Sequence, residues 1–304
     1  MRIIKDIAEL KELKFTSISI GNFDGVHLGH QSIIEKITRS PNSLIVTFDP
    51  HPIEVLSNEE KLSVITSCDE KITLFDELGI ENTFILTFNK SIALMGAEEF
   101  IGWLIVDYID PKELVIGYNH HFGNGANGDF ELLVHIGTQF GFEVIRVPPV
   151  YVDGFPVSST RIRRAIANGE MEVVNKLLGR PYSITSCVVT GKGRGTSLSY
   201  PTANLRVQEK KLIPKNGVYA VYVEYNKNKF GGMMNVGDKP TFSEPYGLEV
   251  HIFDFNNNLL GETIKVEFVK YLRQVCDFEN AAALKLQLQK DESFARQILL
   301  RKSG

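Results

Sequence analysis

Three cysteines in 304 residues, Cys68, Cys187 and Cys276, are too few and too scattered for a disulfide framework, and none sits in a Cys-x-x-Cys pair that could hold zinc. They read as structural thiols. Also missing is any uncharged apolar run of the ~20 residues that a membrane span requires. The opening stretch carries Arg2, Lys5, Asp6, Glu9, Lys11, Glu12 and Lys14 and holds no signal-type segment. A cytoplasmic location without a membrane partner is therefore expected. Neither sign of charge dominates: 33 basic residues against 37 acidic ones leave a net charge of −4, with no cationic field for nucleic acid. No repeat or low-complexity segment points to an array. A small-molecule partner is the expectation, and homo-oligomer formation is left open.

What is present divides into two textures, and the length suits two cores. Thr16–Ile20, Leu44–Phe48, Thr83–Thr87, Leu114–Ile116 and Glu143–Val147 read as strands. Between them Gln31–Arg39, Asp69–Leu78, Ala97–Ile109 and Phe130–Phe140 carry apolar residues at helical spacing, and Ser67 with Glu70 forms a capping-box pattern. This alternation predicts a Rossmann-like parallel β-α-β sheet, followed by helices over Ala165–Leu178. After Gly179-Arg180-Pro181 the runs Ser183–Thr190, Gly217–Tyr225, Gly231–Val236, Leu248–Phe255 and Thr263–Tyr271 follow one another without long helices, the pattern of a closed β-barrel. Phe278–Leu300 reads as one or two terminal helices, with Leu284, Leu288, Phe294 and Ile298 as a core stripe. The expected domains are 1–180 and 181–304.

Chemistry gathers at strand ends. Gly21-Asn22-Phe23-Asp24-Gly25-Val26-His27-Leu28-Gly29-His30 follows the first strand and opens a helix, so glycines allow close backbone approach and the helix N-terminus favours an anion. His27 and His30, three apart, would share one side of a helical turn. Gly-x-Gly-x-x-Gly and Walker spacings are both absent. The turn instead resembles the His-x-Gly-His signature of the nucleotidyltransferases, which transfer a nucleoside monophosphate and release pyrophosphate. Asp49 and His51 lie in a proline-stiffened loop after the second strand. Gly117-Tyr118-Asn119-His120-His121-Phe122-Gly123, running on to Asp129, follows the fourth; its histidine spacing suits a nucleotide or acceptor contact better than a metal. Val157-Ser158-Ser159-Thr160-Arg161-Ile162-Arg163-Arg164 places arginines in a helix's first turns, where they oppose its dipole unless a polyphosphate intervenes.

In the β half, a glycine loop from Gly191 through Gly193 and Arg194 leads to Pro201-Thr202-Ala203-Asn204. Glycine amides cradle phosphates, while the Thr202 hydroxyl and the Asn204 carbonyl oxygen are hard ligands suited to Mg²⁺. Asn235-Val236-Gly237-Asp238-Lys239-Pro240-Thr241-Phe242 and Glu249-Val250-His251-Ile252-Phe253-Asp254-Phe255 complete the pattern.

Together these motifs resemble the bifunctional bacterial riboflavin kinase/FAD synthetase family over nearly the whole chain. The resemblance implies two ATP-dependent steps: riboflavin to FMN with release of ADP, then FMN to FAD with release of pyrophosphate. It makes Glu249 the base for the ribityl hydroxyl, with Thr202 and Asn204 on Mg²⁺. His27, His30, Ser159 and Arg163 would stabilise adenylyl transfer. Nucleotide or flavin contacts are implied for Gly21, Phe23, Asp24, Gly25, Asp49, Asn119, Asp129, Ser158, Thr160 and Arg161 in the first half. In the second they are implied for Gly191, Gly193, Arg194, Pro201, Asn235 and Arg273. The chain departs from the family at Ser199, where glycine is usual, and at Val275 and Asp277, where an acidic and then a basic residue are usual. Two other readings stay open: a nucleotidyltransferase for another acceptor with a barrel specificity module, and a flavin-binding regulator with weakened kinase activity.

Overall fold

The computed structural model describes residues 1–56, 63–191, 200–207, 210–239 and 244–301, which form two compact units, Met1–Ser159 and Thr160–Gly304. The first is built on a parallel sheet of β1 (Arg2–Ile4), β2 (Ser17–Ile20), β3 (Leu44–Asp49), β4 (Asn82–Thr87), β5 (Glu113–Gly117) and β6 (Glu143–Val147). Its order is β1-β4-β3-β2-β5-β6. Alternating side chains serve two layers. Ile18, Ile20, Leu44, Val46, Leu114 and Ile116 enter one core, and Ile45 and Val115 the other, so both faces are covered as a parallel sheet requires.

Crossovers are supplied by α1 (Leu28–Ile37), α2 (Pro52–Leu56) and α3 (Cys68–Glu77), then α4 (Lys90–Leu94), α5 (Ala97–Ile101) and α6 (Phe130–Phe140). Both halves of the Ser67–Glu70 capping box form at the start of α3. The helix expected over Ala97–Ile109 is α5 followed by a wider π-helical segment, Gly102–Ile109, which ends where Asp110 takes a left-handed φ of 47°. From β2 the chain winds one way to β3 and β4, then crosses to β5 on the opposite side. The β2/β5 boundary is therefore the switch point, beyond whose carboxyl ends a ligand crevice is expected. A short hairpin, β7 (Tyr151–Val152) with β8 (Phe155–Pro156), precedes the second unit.

That unit is a closed barrel of β9 (Tyr182–Val189), β10 (Ala203–Leu205), β11 (Gly217–Tyr225), β12 (Asn228–Lys239), β13 (Glu244–Ile252) and β14 (Thr263–Arg273), in the order β10-β13-β12-β11-β14-β9. Its strands alternate inward and outward: in β9, Tyr182, Ile184, Ser186 and Val188 are buried and the residues between them are not. The compact units divide at Ser159/Thr160, ahead of the Gly179-Arg180-Pro181 turn. The reason lies in α7 (Ser159–Asn168) and α8 (Met171–Leu178), for α8 is fastened to the barrel. Asn175 donates to the Phe268 carbonyl and accepts from the Tyr182 N–H, both at 2.8 Å, and Glu172 pairs with Lys270 at 3.1 Å.

One terminal helix, α9 (Ala281–Leu300), lies on the barrel. Of the expected stripe, Leu288 and Ile298 pack against the barrel cluster and Phe294 is 48% exposed, while the buried positions are Asp291, Ala295 and Leu299. A buried acid explains the change. Arg273 reaches from β14 to grip both carboxylate oxygens of Asp291 at 2.7–3.0 Å, and this pair sets how the helix sits.

Two outcomes follow from buried charge. Asp291→Ala leaves the Arg273 guanidinium unpaired in a mostly buried setting and should cost about 3 kcal/mol in urea unfolding of the barrel. In the first unit, burial, helped by the neighbouring His121, pushes His120 down from 6.5 to about 4. The unfolded chain then binds the extra proton first. Stability should therefore be complete above pH 6.5 and drain away as pH falls toward 4, and His120→Phe should flatten that loss in thermal melts across the window.

Candidate active sites

The switch point of the first unit is occupied by the turn from β2 into α1. Phe23, Gly25 and Val26 take φ values of 50°, 91° and 39°, which glycine adopts freely and a β-branched residue such as Val26 only under strain. This strained turn is held by its neighbours. The buried Asp24 carboxylate accepts from the Ile65 and Thr66 N–H groups at 2.9 and 3.0 Å, and the Gly25 N–H donates to the Thr66 hydroxyl at 2.9 Å. Ser159 donates to the Asp24 carbonyl at 2.9 Å.

At the end of the turn His27 caps α1, its Nδ1 accepting the His30 N–H at 3.2 Å. The two imidazoles stack with centroids 3.6 Å apart and an angle of 14°. Because Nδ1 of His27 is an acceptor, the proton of its neutral ring is assigned to Nε2, which becomes its only ring donor. Phe23 is buried and packs edge-on against His30, so it walls the histidine pair from beneath.

A cavity of about 510 Å³ opens beside this turn. Gly21 and Asn22 after β2, Phe48 in β3, Phe88 after β4 and His120 after β5 all line it, so it lies beyond the strands' carboxyl ends. Asp49 ends β3 exposed, and Asn119 is exposed beside His120. Asp129 caps α6 by accepting the Leu132 N–H at 3.0 Å. Ser158 is half-buried just ahead of α7, while exposed Thr160 and half-buried Arg161 and Arg163 lie in its first turns.

One residue of this neighbourhood escaped the sequence reading. Lys71 of α3 is 5% exposed, and its ammonium donates to the Asn22 carbonyl, the Thr47 hydroxyl and the Phe48 carbonyl at 3.0–3.3 Å. Burial pushes its pKa below the ordinary lysine value, opposed by the charges of Cys68, Asp24, Asp49 and Glu54. Its signal was periodicity: Lys71 shares a helix face with Leu74, Phe75 and Leu78, a lysine inside an apolar stripe.

In the barrel, register does what sequence distance hides. Glu249 of β13 stands directly opposite Asn204 of β10 on one side and Asn235 of β12 on the other, giving one cross-strand row on one face. Leu248 and Val250 turn into the barrel core, which directs half-buried Glu249 to the outer face. A cavity of about 310 Å³ includes Gly191, Pro201, Thr202 and Asn204 in its lining. A Cβ at Gly191 would come within 2.0 Å of the Asn204 amide nitrogen, so any larger residue there would displace that side chain. Gly193, Arg194 and Ser199 lie outside the described residues. Arg273 is committed to Asp291 and, through Nη1, to the Gln274 carbonyl at 2.9 Å. His251, also missed, makes a 2.7 Å hydrogen bond to the Pro201 carbonyl, tying β13 to the segment before Thr202.

Among the described residues no group of three His, Cys, Asp or Glu side chains could form a metal cage, and no helix is long and apolar enough to cross a membrane. Thr202 and Asn204 offer neutral hard oxygens, a donor set that fits Mg²⁺ when phosphate oxygens complete its shell.

Comparison with known proteins follows the same two-part division. A model of FAD synthetase matches residues 9–161 and one of riboflavin kinase matches residues 178–299. A curated bifunctional riboflavin kinase/FMN adenylyltransferase of Buchnera aphidicola is 39% identical, with 96% of each chain covered. The protein of that name from Escherichia coli is 31% identical over 98% of this chain and 97% of its own. A solved Streptococcus pneumoniae structure, titled as a macrolide-efflux protein, is 32% identical with a TM-score of 0.87, covering 97% of this chain and 98% of that one. Both family models, in this order and with these relatives at nearly full length, place the chain in the family of bifunctional riboflavin kinase/FMN adenylyltransferases.

Proposed function

We propose that the chain makes FAD from riboflavin in two ATP-dependent steps, with residues 181–304 phosphorylating riboflavin and residues 1–180 adenylylating the resulting FMN. The observation that carries this reading is the gathering of the motif residues at two places, the stacked His27–His30 pair at a helix start and the Asn204–Glu249–Asn235 row on the barrel.

In the kinase step Glu249 accepts the proton of the ribityl 5′-hydroxyl as its oxygen attacks the γ-phosphorus of ATP. The bond from that phosphorus to the β-bridging oxygen breaks, and ADP leaves. Thr202 and Asn204 would hold Mg²⁺ against the ATP phosphates, where the ion neutralises charge. Gly191, with Gly193 and Arg194, would contact the ATP phosphates, and positioning supplies most of the acceleration.

In the adenylyl step an FMN phosphate oxygen attacks the α-phosphorus, and the bond to pyrophosphate breaks. The attacking phosphate is already ionised, so no general base is needed. Nε2–H of His27, the His30 ring, Arg163 and the positive end of α1 offset the charge that spreads in the transition state. The flavin ring suits the cavity beside Gly21, whose lining includes Phe48, Phe88 and Phe122. In this reading Ser158, Ser159, Thr160 and Arg161 bracket the polyphosphate.

Purified protein incubated with riboflavin, ATP and Mg²⁺, with FMN and FAD separated over time, tests the whole scheme. Glu249→Gln should slow FMN formation at least about 100-fold while FAD formation from supplied FMN stays within about twofold. His30→Ala should do the reverse, slowing FAD formation about 100-fold with FMN formation preserved. A folded protein losing both activities through either change would contradict the two-site assignment. Failure to adenylylate FMN at all would point to another acceptor.

A further inference from the structure

The turn that delivers His27 and His30 is strained, and a strained segment keeps one geometry only where its surroundings impose it. Two grips come from the segment leading into α3. One is the Asp24 carboxylate on the Ile65 and Thr66 amides, and the other is Gly25 on the Thr66 hydroxyl. Both act in the middle of the turn. Its entry, at Asn22, is gripped differently.

There the Asn22 carbonyl accepts from Lys71 Nζ at 3.3 Å and from the Thr47 hydroxyl, also at 3.3 Å. The same ammonium donates to Thr47 Oγ1 at 3.0 Å and to the Phe48 carbonyl at 3.2 Å. One buried cation therefore ties α3 to the ends of both β2 and β3. Asn22 and Phe48, the two backbone positions it joins, also line the 510 Å³ cavity. Burying an ammonium is costly, and a leucine or methionine would fill an apolar helix face without that cost. Its three acceptors give the charge a task at the mouth of the nucleotide turn.

We infer that Lys71, with Thr47, is a positioning residue for FMN adenylylation: its ammonium fixes the entry of the Gly21–His30 turn against the end of β3, and so sets where His27 and His30 stand. Lys71 touches no substrate. It acts through Asn22. The inference rests on the Gly21–His30 turn being the adenylylation site, as proposed above.

The test uses the full-length protein and both of its activities. Thr47→Val keeps the shape of the side chain but removes the acceptor for Lys71 and the donor to Asn22. It should lower kcat for FAD formation from FMN about tenfold, with KM for FMN moved less than about threefold, since small misplacements near the chemistry are felt in the rate. Thr47→Ser keeps the hydroxyl and should restore kcat to within about threefold of the parent. Lys71→Met should be more severe, about 30-fold or greater in kcat. Riboflavin phosphorylation on the same molecules should stay within about twofold in every variant, which controls for the amount of active chain, and an unchanged thermal melt and far-UV spectrum report that the unit holding Thr47 and Lys71 is folded.

Thr47→Val with an unchanged kcat, or Thr47→Ser as impaired as Thr47→Val, would overturn the inference. If Lys71→Met fails to fold, the Thr47 pair still decides. His30→Ala is run alongside. Should it leave FAD formation intact, the site reading itself falls; should it abolish FAD formation while Thr47→Val does nothing, only the role of Lys71 and Thr47 falls.

Discussion

The hydrogen bond from the His30 N–H to His27 Nδ1 organises the first site. A helix start leaves several N–H groups without helical partners, and here a side chain three residues back satisfies one of them. Serine or aspartate would cap as well. Histidine adds a ring, and the cap geometry lays that ring on His30 at 3.6 Å. The cap also settles the tautomer, leaving Nε2 of His27 as the donor. One bond thus sets both the start of α1 and the stacking of the two rings, which the strained turn brings to the end of β2.

The barrel reaches its site by a different constraint. A closed sheet has no free register: once β10, β13 and β12 are paired around the barrel, Asn204, Glu249 and Asn235 must face one another. Residues 45 positions apart become neighbours without any local motif, as 249 and 204 show. Packing then decides direction, because Leu248 and Val250 claim the interior and leave Glu249 outside. A one-residue slip would bury the carboxylate. Burial of the two hydrophobes is therefore what keeps Glu249 available.

Much of this was legible in the chain. Parallel strands and the closed barrel follow from apolar periodicity, and the Ser67–Glu70 capping box formed as its spacing implied. Less legible was anything that depends on a partner distant in sequence. The stripe holds at Leu288 and Ile298, which pack against the barrel cluster, and departs at exposed Phe294; the buried Asp291 is not legible in it, because its burial makes sense only with Arg273 across from it. Arg273 and Asp129 read as nucleotide or flavin contacts, and their structural partners, a buried carboxylate on the terminal helix and the Leu132 N–H at a helix start, are not visible in the motifs. Lys71 shows the converse: a charged residue within an apolar stripe is a visible anomaly, and only the ends of two other strands explain it.

The two units also handle buried charge in different ways, and the difference bears on what each can hold still. In the first, Asp24 and Lys71 are satisfied largely by backbone amides and carbonyls, so each charge pins a loop whose own atoms form the site. In the second, buried Asp291 pairs with Arg273 of β14, side chain to side chain, and on the surface Arg296 reaches Asp254, so charge pins the terminal helix to the barrel. Backbone partners cannot rotate away, and they are shielded from salt by the same burial that makes the charge costly. Asp254 is exposed, and its pair with Arg296 weakens as ionic strength rises. The Gly21–His30 turn is thereby held by desolvated charge, whereas the terminal helix is held to the barrel by one sheltered pair and one that solvent can loosen.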